Sequence, residues 1–262
     1  GALWWRGFPA REHMFDEVWR MDVRKKERVD AWEVVARTPH KIAFAGLAAL
    51  DGILYIFGGC RNRNEVPNDR TDERQLWVYD PATASISVGP DMLVARQECA
   101  GASLNGRIYA FGWDKSCESF APGETAWRQE ADCPVVLGGG NGMAGQFNVT
   151  TLDGTAYVAG PFGLLSFRPQ HGWATLPGFG KPLGGCPLVA AHQKEVWVMS
   201  GFFYDPTPGQ MCDLKREVHS YDPSTHQWRE RPPLPCCEAW GAGASVGGTL
   251  YAIGGSKFSR DA

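Results

Sequence analysis

The stretch Leu50 to Gly59, LDGILYIFGG, constrains this chain most, because its layout returns four times. An Asp-Gly turn leads into an apolar run that stops at a glycine pair. The returns are Leu104 to Gly112 (LNGRIYAFG), Leu152 to Gly160 (LDGTAYVAG), His192 to Gly201 (HQKEVWVMSG) and Val246 to Gly255 (VGGTLYAIGG). Their apolar runs begin near positions 53, 107, 155, 195 and 249, and a recurring step of 40 to 54 residues is the mark of a repeat architecture.

Each copy opens with a strand of small residues: Ala45 to Leu50 (AGLAAL), Ala100 to Leu104 (AGASL), Ala242 to Val246 (AGASV). Small side chains suit a strand crowded near an axis. Asp51-Gly52, Asn105-Gly106 and Asp153-Gly154 favour the positive φ angles of a type I′ hairpin, so the first two strands of each copy are expected to pair antiparallel. A loop follows, then a strand that ends in an aromatic and a turn. Tyr79-Asp80-Pro81 and Tyr221-Asp222-Pro223 are full versions, and Phe120-Ala121-Pro122 and Phe167-Arg168-Pro169 weaker ones. Trp127, Trp173 and Trp228 mark the last strand, with Ile86 in that place in the first full copy. With Trp32 they read as core between repeats. Four short strands in about 50 residues make one blade of a β-propeller.

At these residues the chain resembles the kelch family: an apolar strand closed by Gly58-Gly59 or Gly254-Gly255, then Tyr-Asp-Pro, then tryptophan. The resemblance covers nearly all 262 residues. It implies an all-β, kelch-type β-propeller of four-stranded antiparallel blades, similar in architecture to WD40 propellers, with five blades or as a fragment of six. The blades fall at about 41–95, 96–142, 143–183 and 184–236, with partial ones at 1–40 and 237–262. In the first partial blade Ala2 to Trp5, Val18 to Val23 and Trp32 to Val35 read as second, third and fourth strands. Gly112, Gly160 and Gly201 lack a second glycine, which makes the third blade the weakest match.

Composition narrows the classes of partner. With 44% hydrophobic and 21% charged residues the chain can bury a large core. A net charge of −3 offers no basic field for nucleic acid or an anionic membrane, so neither is expected as a partner. No apolar stretch reaches the roughly 18 residues of a membrane span. The eight cysteines, at 60, 99, 117, 133, 186, 212, 236 and 237, form no Cys-x-x-Cys pair and read as thiols of a cytoplasmic or nuclear protein.

Two long connections follow second strands. Residues 60–74 (CRNRNEVPNDRTDER) and 202–215 read as exposed loops. Strand alternation sends these loops and the blade-to-blade connections to one face, and the tight Asp-Gly hairpins to the other. Function concentrates on long loops held by a rigid scaffold. Counting back from each hairpin places Phe44, Glu98, Gln146, Cys186 and Trp240 at the channel mouth on that face, with Arg96 two residues further out and Arg61 and Arg63 in the loop beside it. Phe44, Arg61, Arg63, Arg96, Glu98, Gln146 and Trp240 are the candidate binding residues.

Chemistry-bearing motifs are sparse. Gly140-x-Gly142-x-x-Gly145 matches a dinucleotide fingerprint, yet a strand follows it where a helix is required. Glu65, Asp69 and Glu73 are spaced by four and resemble the acidic triplet of kelch-type specifier proteins, which implies a metal site. Arg61, Arg63, Arg70 and Arg74 are interleaved with them and compete for the same carboxylates. The six histidines make no metal-ligand spacing, no Ser-His-Asp arrangement can be placed, and no resident cofactor is expected. The leading expectation is a non-catalytic module that recognises a protein or peptide, as kelch propellers do in ubiquitin-ligase adaptors. The alternative is a small-molecule kelch enzyme, a sialate mutarotase with Glu98 as acid/base or a metal-dependent specifier protein.

Overall fold

The computed structural model describes residues 14–24, 32–62, 70–112, 114–138, 147–204, 212–236 and 239–256. The predicted strand at Ala2 to Trp5, the Gly140 to Gly145 motif, Arg63, Glu65, Asp69 and Gln146 lie outside them. Every regular element among the described residues is a strand. Among the described residues no helix is long and apolar enough to cross a membrane.

Four four-stranded antiparallel sheets follow one another along the chain. The first is Gly46–Leu50, Ile53–Phe57, Leu76–Asp80 and Ser85–Val88. The second is Cys99–Leu104, Arg107–Gly112, Cys117–Phe120 and Arg128–Gln129. The third is Asn148–Leu152, Thr155–Gly160, Gly163–Arg168 and Gly172–Thr175. The fourth is Leu188–His192, Glu195–Met199, Val218–Asp222 and Gln227–Arg231. In each sheet the strands lie side by side in chain order, as in a propeller blade. A hairpin of Phe15–Met21 with Trp32–Ile42 precedes them, and one of Ala239–Val246 with Thr249–Ser256 follows.

The chain divides into two compact units, Gly1–Asp132 and Cys133–Ala262. In the first unit the core of the first and second blades comprises Tyr55, Phe57, Leu76, Met92, Ile108 and Trp127. Trp127 packs on Phe57 and Phe120 and donates its indole N–H to the Pro90 carbonyl at 2.9 Å. In the second unit Tyr157, Leu164, Val189, Val198 and Tyr221 form the corresponding core. Trp228 packs against it and donates to the Pro177 carbonyl at 2.7 Å. The tryptophan therefore seals its blade to the connection after the preceding one in both units. Trp32 departs from the expected role: it is 37% exposed, opposite Met21 in a hairpin with no third strand among the described residues.

The expected tight turns form. Asp51 and Gly52 take φ of 51° and 80°, Asn105 and Gly106 50° and 74°, and the Gln193-Lys194 pair, which lacks glycine, 49° and 63°. The small-residue first strands have a steric cause. A Cβ at Gly101 would lie 2.2 Å from the Leu47 carbonyl oxygen, and one at Gly243 would lie 2.7 Å from that of Val189. First strands of successive blades thus approach more closely than any side chain allows.

One expectation needs correction. Residues 60–74 and 202–215 are not plain loops: Cys60–Asn62 pairs with Arg70–Asp72, and Phe202–Tyr204 with Cys212–Leu214, each as a two-stranded excursion. Backbone groups that would otherwise compete for water find ladder partners there. The excursions also explain the uneven glycine pattern. Gly58-Gly59 (φ 63° and 89°) and Ser200-Gly201 (59° and 116°) swing the chain out of the blade, whereas Gly160 pairs directly with Gly163 and needs no such swing. The third blade is complete, with a shorter return.

Candidate functional site

The base of each excursion is fixed by the same hydrogen bonds. In the first blade Ala43 N donates to Cys60 O at 2.9 Å and Cys60 N to Ala43 O at 2.8 Å. In the fourth Gly185 N donates to Phe202 O at 2.8 Å and Phe202 N to Gly185 O at 3.0 Å. Glu73 N reaches Gly59 O at 2.8 Å, and Lys215 N reaches Gly201 O at 2.9 Å. Each excursion therefore rises from the end of the blade where the chain enters its first strand. That is the face the strand alternation predicts for working loops.

At that entry stand Phe44, Cys186 and Trp240, all with positive φ (57°, 48° and 62°). The left-handed region costs a non-glycine residue about 1–2 kcal/mol. It is held here by backbone bonds: Cys99 N donates to Phe44 O at 3.1 Å and Trp240 N to Cys186 O at 3.2 Å. In the first unit Phe44 is half-buried on Met14, Ala43 and Cys60. In the second, half-buried Trp240 stacks on Phe202 with ring centroids 4.6 Å apart and planes 17° apart, above Cys186 and Ala239.

The charged candidates divide. Arg96 does not face solvent, which corrects its assignment to the rim. Its guanidinium is 0% exposed and is paired with the equally buried Glu118: Nη1 donates to Oε1 at 2.6 Å, and Nη2 to Ser116 Oγ at 2.7 Å. Glu118 also accepts from Leu93 N at 2.7 Å and Val94 N at 3.0 Å, so the pair clamps the connection between the first two blades. A charge can be this deep only when it is paired and hydrogen-bonded. Glu98 is buried too, at 3% exposure. Sequence reasoning passed over Glu118, though a carboxylate in a strand whose four residues, Cys117–Phe120, are all buried must find a partner.

Among the described candidate charges, Arg61 is the one that reaches solvent. It lies on the excursion opposite Thr71, is 46% exposed, and donates its Nε–H to Glu73, which is 8% exposed. Glu73 is thereby engaged by a guanidinium, and its backbone carbonyl accepts from Arg96 N at 2.9 Å. Among the described residues no three carboxylate, imidazole or thiol groups converge to hold a metal ion. Asp72 points to the other face of the excursion, opposite Cys60. Desolvation, with Glu73 nearby, raises its pKa. His40 packs edge-on to Trp77 at 4.9 Å, and desolvation lowers its pKa.

With this geometry in view, the comparisons with known proteins are consistent. The family model of the kelch motif matches residues 42–93, the first blade and its connections. The chain is 22% identical to beta-scruin of Limulus polyphemus over 227 residues, which is 78% of this chain and 24% of that protein. It is 22% identical to Kelch-like protein 23 of Mus musculus over 221 residues (82% and 37%). It is 24% identical to Kelch-like protein 36 of Bos taurus over 250 residues (94% and 32%). The chain spans between about a quarter and about two fifths of the length of these relatives. Among solved structures, that of YjhT superposes with a TM-score of 0.75 at 16% identity, covering 92% of this chain and 84% of the other. Serial four-stranded blades, the matched motif and these likenesses together make the chain a member of the kelch-repeat family with the β-propeller fold.

Proposed function

We propose that the chain is a recognition module that captures a protein or peptide on the end of the blades where the excursions rise. The observation that carries this reading is the duplicated base: two hairpins, Cys60–Asn62 with Arg70–Asp72 and Phe202–Tyr204 with Cys212–Leu214, each locked by paired backbone bonds beside a part-exposed aromatic. Long segments on a rigid base, with aromatics held in a strained conformation next to them, are the usual makings of a binding surface. In a longer parent protein such a module would be the recognition half of an adaptor, the role that the kelch resemblance implies.

The test is affinity capture with a double variant, Phe44→Ala with Trp240→Ala, followed by binding of each captured protein in purified form. A partner that binds the unmodified chain and loses most of its affinity for the variant, while the variant keeps its β circular dichroism and a cooperative melt at a lower melting temperature, supports the reading. A control variant in the opposite hairpins, Asn105→Asp, should bind normally. Equal binding by the double variant overturns it.

A further inference from the structure

The first hairpin leaves one sheet edge open, and its sequence specifies what can fill it. Phe15–Met21 (FDEVWRM) pairs with Trp32–Ile42 on one side, and among the described residues no strand lies along its other side. In an antiparallel ladder every second residue turns its N–H and C=O away from the neighbour it already has, so the open side carries a row of backbone donors and acceptors. Natural edge strands are commonly blocked by a bulge, a proline or a lysine. This one has none of them. Both register shifts place the extra residues on Trp32–Ile42, so Phe15–Met21 runs regular, and its charged residues, Asp16, Glu17 and Arg20, are of both signs.

Side chains alternate between the two faces of the strand. Phe15, Glu17, Trp19 and Met21 share one face, continued across the hairpin by Ile42 opposite Phe15, Val34 opposite Trp19 and Trp32 opposite Met21. Phe15, Trp19, Trp32 and Val34 are all exposed, Trp19 at 52%. Asp16, Val18 and Arg20 share the other face, where Arg37 donates to Asp16 at 2.7 Å and Arg20 donates to Glu33 at 2.7 Å. An exposed apolar face beside an open edge is a place where another strand can be added.

The order of residues says which strand. Turned end for end about Val18, FDEVWRM meets itself with Phe15 opposite Met21, Asp16 opposite Arg20 and Val18 opposite Val18. Rows across the joined hairpins then read Trp32, Met21, Phe15 and Ile42 on one face, apolar throughout, and Glu33, Arg20, Asp16 and Arg37 on the other, alternating in sign. Two-fold symmetry supplies each row twice. A slip of two residues in either direction loses both ion pairs, so the register is specified as well as the partner.

We infer that Phe15–Met21 is a self-association edge whose partner is the same strand of a second copy of this chain, joined antiparallel into a four-stranded sheet across a two-fold axis. This goes beyond the recognition-module reading and does not depend on it.

The experiment is sedimentation equilibrium of the full chain and of two variants that each reverse one charge, Asp16→Arg and Arg20→Asp. The unmodified chain should pass from monomer to dimer over micromolar concentrations, as expected of an edge smaller than a standard interface. In either variant alone the two ion pairs become two like-charge pairs, and the dissociation constant should rise about tenfold or more. Both side chains are partly exposed, so the melting temperature should hold. Mixed in equal amounts, the two variants restore opposite charges at both pairs, and a heterodimer should form about as tightly as the unmodified dimer. A chain that stays monomeric throughout overturns the inference, whether the edge then takes a strand of another protein or none. A dimer that both variants retain, or a mixture of variants that does not associate, overturns it as well, because the association then belongs to another surface.

Discussion

The first and fourth blades are built on one backbone plan, yet they are stabilised at the excursion end by opposite means. The first uses ions: Arg96 with Glu118 fully buried, and Arg61 over Glu73. The fourth uses rings: Trp240 stacked on Phe202, and Phe179 on His219 at 3.8 Å. The glycine swing, the paired bridge at the excursion base and the clamp on the outgoing connection are common to both. Met92 N reaches Arg74 O at 2.8 Å in one and Leu234 N reaches Arg216 O at 2.8 Å in the other. Backbone hydrogen bonds thus specify the blade, and the side chains set on it are free to diverge toward different surfaces.

The sharpest way to break this comparison is at the buried ion pair. Removing one partner leaves the other charge enclosed without compensation, and such changes cost about 3–5 kcal/mol. Arg96→Met should do so, measured as the shift in urea midpoint at constant slope. Adding Glu118→Gln should recover part of the loss, because the amide oxygen still accepts from Leu93 N or Val94 N. If Arg96→Met alone costs under about 1 kcal/mol, the guanidinium is not enclosed as described, and it returns to the list of surface contacts.

A smaller and two-sided effect is expected where the blades exchange residues. Gly58 and Ser200 occupy equivalent positions with φ of 63° and 59°. Ser200 offsets its strained backbone by donating Oγ–H to Lys215 O at 2.6 Å. At Gly58 a Cβ would come within 3.0 Å of Met92 Cε and 3.2 Å of Cys99 Cβ. Gly58→Ser should therefore cost about 1–2 kcal/mol, from left-handed strain and crowding. Ser200→Gly relieves strain and forfeits one hydrogen bond, and should stay within about 0.5 kcal/mol of neutral. Equal effects at the two sites would mean that the blades are not equivalent in backbone.

What could be read from sequence follows the same division. Periodic features were legible because they answer to backbone geometry: the Asp51-Gly52 turn, the Ala-Gly first strands and the return of Trp127 and Trp228 each solve one steric problem repeatedly. The excursions were not legible as hairpins, because Cys60–Asn62 and Arg70–Asp72 are short, polar and too far apart for a turn signal. The entry to the first strands was legible in position, and the orientation of the side chains around it was not. Counting placed Phe44, Glu98 and Trp240 at the entry to the first strands, but Arg96 lies between them in sequence and points inward to an acid, Glu118, that belongs to no repeated motif.

The gentlest probe is pH, because among the described residues each unit carries one histidine whose proton affinity is lowered chiefly by burial: His40 in the first and His219 in the second. At His219 Lys181 lowers it further, while Glu217 and Glu230 pull the other way; at His40 Arg61 lowers it further and Glu73 pulls back. Both imidazoles take up a proton in the unfolded chain near pH 6.5 and in the folded chain only at lower pH. The stability linked to them is complete above about pH 6.5 and is lost as pH falls toward the folded value. The carboxyls of Glu124 and Asp222, held down to about 2 by Arg107 and by Ser224, titrate well below that range and leave it clear. The melting temperature should accordingly decline between about pH 6.5 and 5, and His219→Phe, which keeps a ring against Phe179, should flatten part of the decline. His40→Phe should flatten the remainder, and the double variant should be level across the window. A decline of unchanged size in either single variant would show that the imidazole it replaces is not buried in its neutral form, and if that variant is His219→Phe the ion-versus-ring contrast between the two blades would then need another account of His219.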